Sequence, residues 1–222
     1  MNGSCTAEDR ALAAWEIVAA SMSALAAEWV VGTLAGRGRL LLLVPVTTAV
    51  ALMLLSHRVR GESARDIGWR RDNFWEAARL LLPPMLAVSA LLVGLGWYAG
   101  TLDLGRWEGG QSILGVPGLS LVWGVLQQYA LQGFINRRAQ LALGRGVLSV
   151  LLVGLLFALF HLPNLWLTFA TLAGGLLWAY VYQRAPNLLA VGLSHSLMTW
   201  VMISSVPAGA FHNLRVGFKY FG

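Results

Sequence analysis

The segment LSLVWGVLQQYALQGFINRR, residues 119–138, has the length and apolarity of a membrane-crossing helix, yet it carries Gln127, Gln128 and Gln132 in its middle and Arg137-Arg138 at its end. Side chains three or four apart share a helix face, so Gln128 and Gln132 stack one turn apart. Gln127 points about 100° away from Gln128. Each carboxamide has one acceptor oxygen and two N–H donors, and in an apolar medium an unpaired group costs on the order of 2–7 kcal/mol. The three amides therefore have to face other helices or a wet cavity.

Composition extends this reading to the whole chain. Of 222 residues, 57% are hydrophobic and only 12% charged, with mean hydropathy +0.65. A bilayer-crossing helix needs roughly 20 mostly apolar residues, and runs of about that length recur from end to end. The expected class is all-α: a polytopic transmembrane helical bundle of about seven spans, six to eight, in a single membrane domain with its core near 119–206. The spans fall at 11–34, 40–56, 80–99, 119–138, 147–161, 165–182 and 188–206, and the C-terminal tail is an interfacial segment or part of an eighth. Pro45 should interrupt the second span and Pro83-Pro84 should break the third near its start. Gly174-Gly175 should allow close helix approach in the sixth.

Net charge +6 and a pI near 10.2 invite a nucleic-acid reading. The arginines lie in short loops beside spans, however, where topology and anionic headgroups explain them, so no nucleic-acid partner is expected. With the N-terminus cytoplasmic, 11 Lys and Arg fall on the cytoplasmic side and 5 on the other. This suits an integral protein of a bacterial-type inner membrane, with the lipid bilayer as its constant partner. MNGSCTAEDR carries acids and no basic n-region, unlike a cleaved secretory signal. Cys5 is the only cysteine, so an internal disulfide is ruled out.

Acidic residues in the first span need explaining. Glu16 and Glu28 read either as snorkelling from a tilted, partly amphipathic helix or, for Glu28, as a membrane-embedded acid that belongs to a site. Residues 57–79 form the longest polar segment and end in an aromatic turn around Trp69, Phe74 and Trp75, as expected at headgroup level; His57 reads as solvated. Trp15, Trp29, Trp97 and Trp107 suit the same aromatic belt.

The order and spacing of residues 126–199 resemble the CPBP family of integral membrane proteins, which includes type II CAAX prenyl endopeptidases and bacteriocin-processing proteins. The family motifs EExxxRGF, FxxxH and HxxxN correspond here to QQYALQGF (127–134), FALFH (157–161) and HSLMT (195–199). GESARDIGWRRDNFW also resembles the family's loop upstream of a span. The resemblance implies a helical intramembrane peptidase fold in which a glutamate pair and histidines hold and deprotonate an attacking water.

This chain departs from that pattern at the chemistry. Gln127 and Gln128 stand at the glutamate positions, and an amide lacks the basicity of a general base near neutral pH. Gln132 replaces the arginine, which is electrically coherent, since removing two potential anions removes the need for a buried cation. Thr199 takes the asparagine position with shorter hydrogen-bonding reach. His161 and His195 remain at the family's histidine positions, as an acid/base pair or as two ligands of a metal. Metal is the weaker reading, because two histidines and neutral amides leave the first coordination shell incomplete. No cofactor is indicated. Glu28 completes either arrangement if the first span packs nearby. Tyr129 and Asn164 are candidate orienters, while Trp123, Trp166, Trp178 and Trp200 lie near the motifs, where they shape an apolar groove or simply pack.

Three functions remain open at this level. One is a divergent CPBP-fold protein that binds, and in some form processes, a hydrophobic peptide or a lipid- or isoprenoid-like substrate with its glutamate-dependent centre altered. Another is an active intramembrane endopeptidase using His161, His195 and a different acid. The last is a noncatalytic membrane interaction subunit.

Overall fold

A computed structural model describes residues 6–31, 43–106, 117–207 and 209–221, and every expected span is helical there. Gly36, Arg37, Gly38 and Arg39, whose sequence predicts a tight loop, lie outside the described residues, as do Cys5 and Trp107. Helix α1, Ala7–Leu25, starts on a capping box: the Thr6 hydroxyl accepts from the Asp9 N–H at 3.1 Å, and the Asp9 carboxylate accepts from the Thr6 N–H at 3.0 Å. It continues into a π-helical turn, Ala26–Val31, that carries Glu28.

Helix α2, Leu43–Val59, has Pro45 in its first turn rather than as an interruption, because a residue there has no helical acceptor for its N–H to lose. A short helix α3, Ala64–Ile67, is capped by Ser63 and closed by Gly68 at φ 99°. Helix α4, Phe74–Tyr98, begins before the expected residue 80 and runs unbroken through Pro83 and Pro84, leaving only the carbonyls one turn earlier without helical donors.

The motif segment is one helical run of three parts: α5, Pro117–Gln128; a π-helical stretch, Tyr129–Asn136; and α6, Arg137–Leu143. Helices α7, Val147–Leu159, α8, Leu165–Arg184, and α9, Leu188–Ser205, follow. Asn164 and Asn187 start the last two by accepting from the N–H groups of Leu167 and Ala190. The tail forms two 3₁₀ turns, His212–Leu214 and Gly217–Tyr220, and no eighth span among its described residues.

Four helical runs are long and apolar enough to cross a membrane, Ala7–Trp29, Phe74–Tyr98, Leu165–Arg184 and Leu188–Ser205, while Val44–Val59 and Val147–Leu159 are shorter apolar helices. Their outward faces are apolar, as at Leu86, Leu91, Leu148 and Leu155, which is what lipid as solvent requires. This is a helical membrane bundle. Helix α9 packs on α4 and α5, and α7 on α8. Small residues permit these approaches: a Cβ on Gly192 would lie 2.5 Å from Val125 Cγ2, and one on Gly175 would lie 3.1 Å from the Gly154 Cα.

One end of the bundle is tied by a charged cluster that the sequence reading misjudged. Arg138, fully buried, meets Glu16 at 3.0 Å and Glu62 at 2.7 Å, and donates to the Ser56 hydroxyl at 2.9 Å. Glu16 also takes Arg60 at 3.0 Å and the Ser56 hydroxyl at 2.6 Å, so it is paired inside the bundle rather than snorkelling. His57 is 4% exposed, not solvated, with Nδ1 2.6 Å from Glu62. Arg137 adds a 2.6 Å contact to Glu62 and donates to the Asp66 carbonyl. The physical reason is mutual: each charge is buried because its partner is, and none of them could sit there alone.

Burial pushes the Glu62 carboxyl upward, but its hydrogen bond with His57 and those from the Arg138 and Arg137 guanidiniums outweigh that and hold it well below its usual 4.5. A carboxyl depressed by folding stabilises above its unfolded value and loses that contribution as pH falls through the folded one. The unfolding temperature of the purified protein should therefore decline as pH drops below 4.5. Glu62→Gln should flatten that decline, and an unchanged pH profile would show that Glu62 is not its source.

Candidate functional site

Toward the other end of α1 the helices enclose a cavity of about 600 Å³, within the range of small-molecule sites. Every long element contributes to its wall: Ala20 and Ala24 from α1, Met53 from α2, Met85 and Val88 from α4, Trp123 and Leu131 from the motif run, Ala170 and Leu177 from α8, and Met202 from α9. The polar part of the wall includes Glu28, Gln127, His161, His195, Ser196 and Thr199, with Ser120 and Thr171.

The two histidines are held in different ways. His195 stacks on Trp178 with ring centroids 4.6 Å apart, and Trp178 is itself fixed by donating from Nε1 to the Ser194 hydroxyl at 2.8 Å. Gln128 Nε2 lies 3.0 Å from His195 Nδ1. An amide nitrogen only donates, so Nδ1 accepts and a neutral His195 carries its proton on Nε2. His161 is the converse. Its Nδ1 lies 2.7 Å from the Phe157 carbonyl, an acceptor only, so Nδ1 donates and Nε2 is left with the lone pair.

Phe157 sits edge-on to both rings, at 4.8 Å from His161 and 5.8 Å from His195. The geometry thus leaves one imidazole N–H donor and one imidazole lone pair on rings that flank a single aromatic side chain.

Gln127 is half-buried on the cavity wall. Gln128 is fully buried and, beyond His195, its Oε1 has no partner among the described residues. Gln132 faces away from the cavity: its Oε1 accepts from Asn136 Nδ2 at 2.7 Å. Asn136 Oδ1 in turn accepts from Gln140 at 3.1 Å and Gln183 at 3.0 Å, and Gln183 also donates to Ser149 at 2.9 Å. This amide seam was missed by sequence reasoning, although its signal was present: Gln128, Gln132, Asn136 and Gln140 recur every fourth residue along one helix face.

Of the remaining residues singled out by sequence, Trp123 and Thr199 line the cavity. Trp166 is 68% exposed on the outside of α8. Tyr129 lies beside His57, ring centroids 5.9 Å apart, with its hydroxyl buried. Asn164 is buried and holds the tail, donating to the carbonyls of Phe211 at 2.7 Å and Arg215 at 3.2 Å. Glu28 lines the cavity and pairs with Lys219 at 3.1 Å. Among the described residues no three His, Cys, Asp or Glu side chains gather as a metal ion would require.

Residues 109–201 match a known family, type II CAAX prenyl endopeptidase Rce1-like. The match spans α5 to α9 and all three motif stretches, and it supports CPBP membership. Comparison with curated proteins and with solved structures finds no match.

Proposed function

We propose, from the Rce1-like character of residues 109–201, that this integral membrane protein keeps the CAAX-protease-like intramembrane fold but not its glutamate base, and that its cavity receives a hydrophobic peptide or a lipid- or isoprenoid-like substrate. The observation that carries this reading is the Gln128–His195 hydrogen bond. Where a carboxylate would hold the imidazole and raise its basicity, a neutral amide only donates to it, so the pair orients but does not activate water. Orientation belongs to the same proposal: the charged cluster around Arg138 lies at the cytoplasmic end and the cavity toward the other, Glu16 in α1 and Glu28 in the turn that continues it being roughly 18 Å apart along the helical run.

A second reading rests on Glu28. It is an acid on the wall that His161 and His195 share, so a histidine-dependent endopeptidase would find its missing carboxylate there. Incubation of the purified protein in lipid with a prenylated CAAX peptide separates the two. The first reading expects retention of the intact peptide without cleavage. The second expects cleavage that falls by roughly a hundredfold or more in Glu28→Gln and in His195→Ala, as for loss of a general base. Cleavage that survives both substitutions excludes the second reading; absence of both binding and cleavage excludes the first.

A further inference from the structure

The wall of the cavity is almost uncharged. Among the described residues lining it, Glu28 alone carries a fixed charge, and the rest of the wall is apolar, aromatic or neutral polar. A lone carboxylate at the edge of an apolar chamber with Trp123, Phe157, Phe160 and Trp178 in its walls is the arrangement that selects cations, through charge and through the faces of the rings.

An ammonium already occupies that carboxylate. Lys219 reaches it at 3.1 Å from the C-terminal tail, both side chains being 42% exposed. The tail is laid against the cavity by separate contacts: the Gly217 N–H donates to the Leu162 carbonyl at 2.8 Å, Asn164 holds two tail carbonyls, and Phe218 meets Trp29 edge-on at 5.3 Å. Leu214 and Val216 of the same segment form part of the cavity wall. Gly217 itself stands at φ 59°, with a Cβ there falling 3.3 Å from the Glu28 carbonyl and Trp29, so the tail's path is specified at close quarters.

We propose that the cavity takes a single-chain amphiphile with an ammonium head group, and that this head exchanges with Lys219 for the Glu28 carboxylate. The tail lysine is then an internal competitor: it neutralises Glu28 when the cavity holds no cation and must yield when one enters. The inference rests on the reading of the cavity as a site for apolar ligands and adds the head group and its gatekeeper.

The test is equilibrium binding of radiolabelled dodecylamine, an ammonium at neutral pH, and of 1-dodecanol, its uncharged counterpart, to the full-length protein in nanodiscs, with empty nanodiscs subtracted. Dodecylamine should bind about tenfold more tightly than dodecanol. Glu28→Gln should erase that preference, whereas Lys219→Ala should tighten dodecylamine binding about threefold by removing a half-exposed competing ion pair. The opposite signs at the two partners of one ion pair are what a purely structural role does not produce, since a structural pair would weaken binding from either side. Equal binding of the two amphiphiles, or a Lys219→Ala protein that binds dodecylamine no better, overturns the head-group proposal and leaves the apolar cavity standing. Binding of neither overturns both.

Discussion

Arg138→Met should lower stability by about 3 kcal/mol, the lower end of what breaking a buried ion pair costs. The side chain has no exposed surface and joins Glu16 of α1, Ser56 of α2 and Glu62 of the following loop to the motif helix. Its removal leaves two carboxylates facing an apolar replacement. The loss stays at the lower end because Glu16 keeps Arg60, and Glu62 keeps Arg137 and His57. Unfolding of the detergent-solubilised protein, followed by temperature, reads the effect. Adding Glu16→Gln to Arg138→Met should restore part of the loss, because the cost comes from stranded charge and not from lost packing; an additive double variant would refute that explanation.

Gln128→Glu should be comparably damaging, and Gln132→Arg should rescue it. Gln128 is fully buried with an Oε1 that has no partner among the described residues, so a carboxylate there either ionises without a counter-charge or is held protonated, at a cost of several kcal/mol. An arginine one turn along the same face can neutralise it. The double variant should therefore be more stable than Gln128→Glu by about 2 kcal/mol or more, a coupling visible in a double-mutant cycle. Adding Gln127→Glu, on the cavity wall, supplies a carboxylate beside the histidines. The triple variant should cleave a prenylated CAAX peptide that the parent leaves intact. Independent, additive effects at 128 and 132 would mean that the two glutamines did not replace an ion pair as a unit.

Much of the architecture was legible in the sequence because lipid imposes a simple rule: a chain without water around it must satisfy its backbone in helices, and apolar runs of the right length report them directly. The helix starts at Thr6, Asn164 and Asn187 follow from side chains that accept from the first free N–H groups. Where local rules competed, reading failed. Pro83-Pro84 predicted a break, yet α4 runs through it, its residues Ala77, Leu81 and Met85 buried in the core while Pro83 is exposed and Pro84 lines the cavity. The site was legible only as a set of residue types. Gln127, Gln128, His161 and His195 were named from spacing and resemblance, and that Gln128 donates to His195 while Gln132 turns to Asn136 depends on the π-helical stretch Tyr129–Asn136, whose wider turn no periodicity announces.

By itself, then, the sequence determined the class of solvent, the helical segments, the neutral character of the motif and the absence of an internal disulfide, since each follows from local composition or from a count. Tertiary structure alone decided which charges meet. Glu16, His57, Glu62 and Arg138 are scattered over 123 positions of chain, and each read alone looks like a surface residue. Only when four segments converge does burial become cheaper than exposure for all of them together. The same holds at the opposite end, where Lys219 finds Glu28 across 191 positions. A charge's environment is set by its partners, and partners distant in sequence are brought together only by the fold.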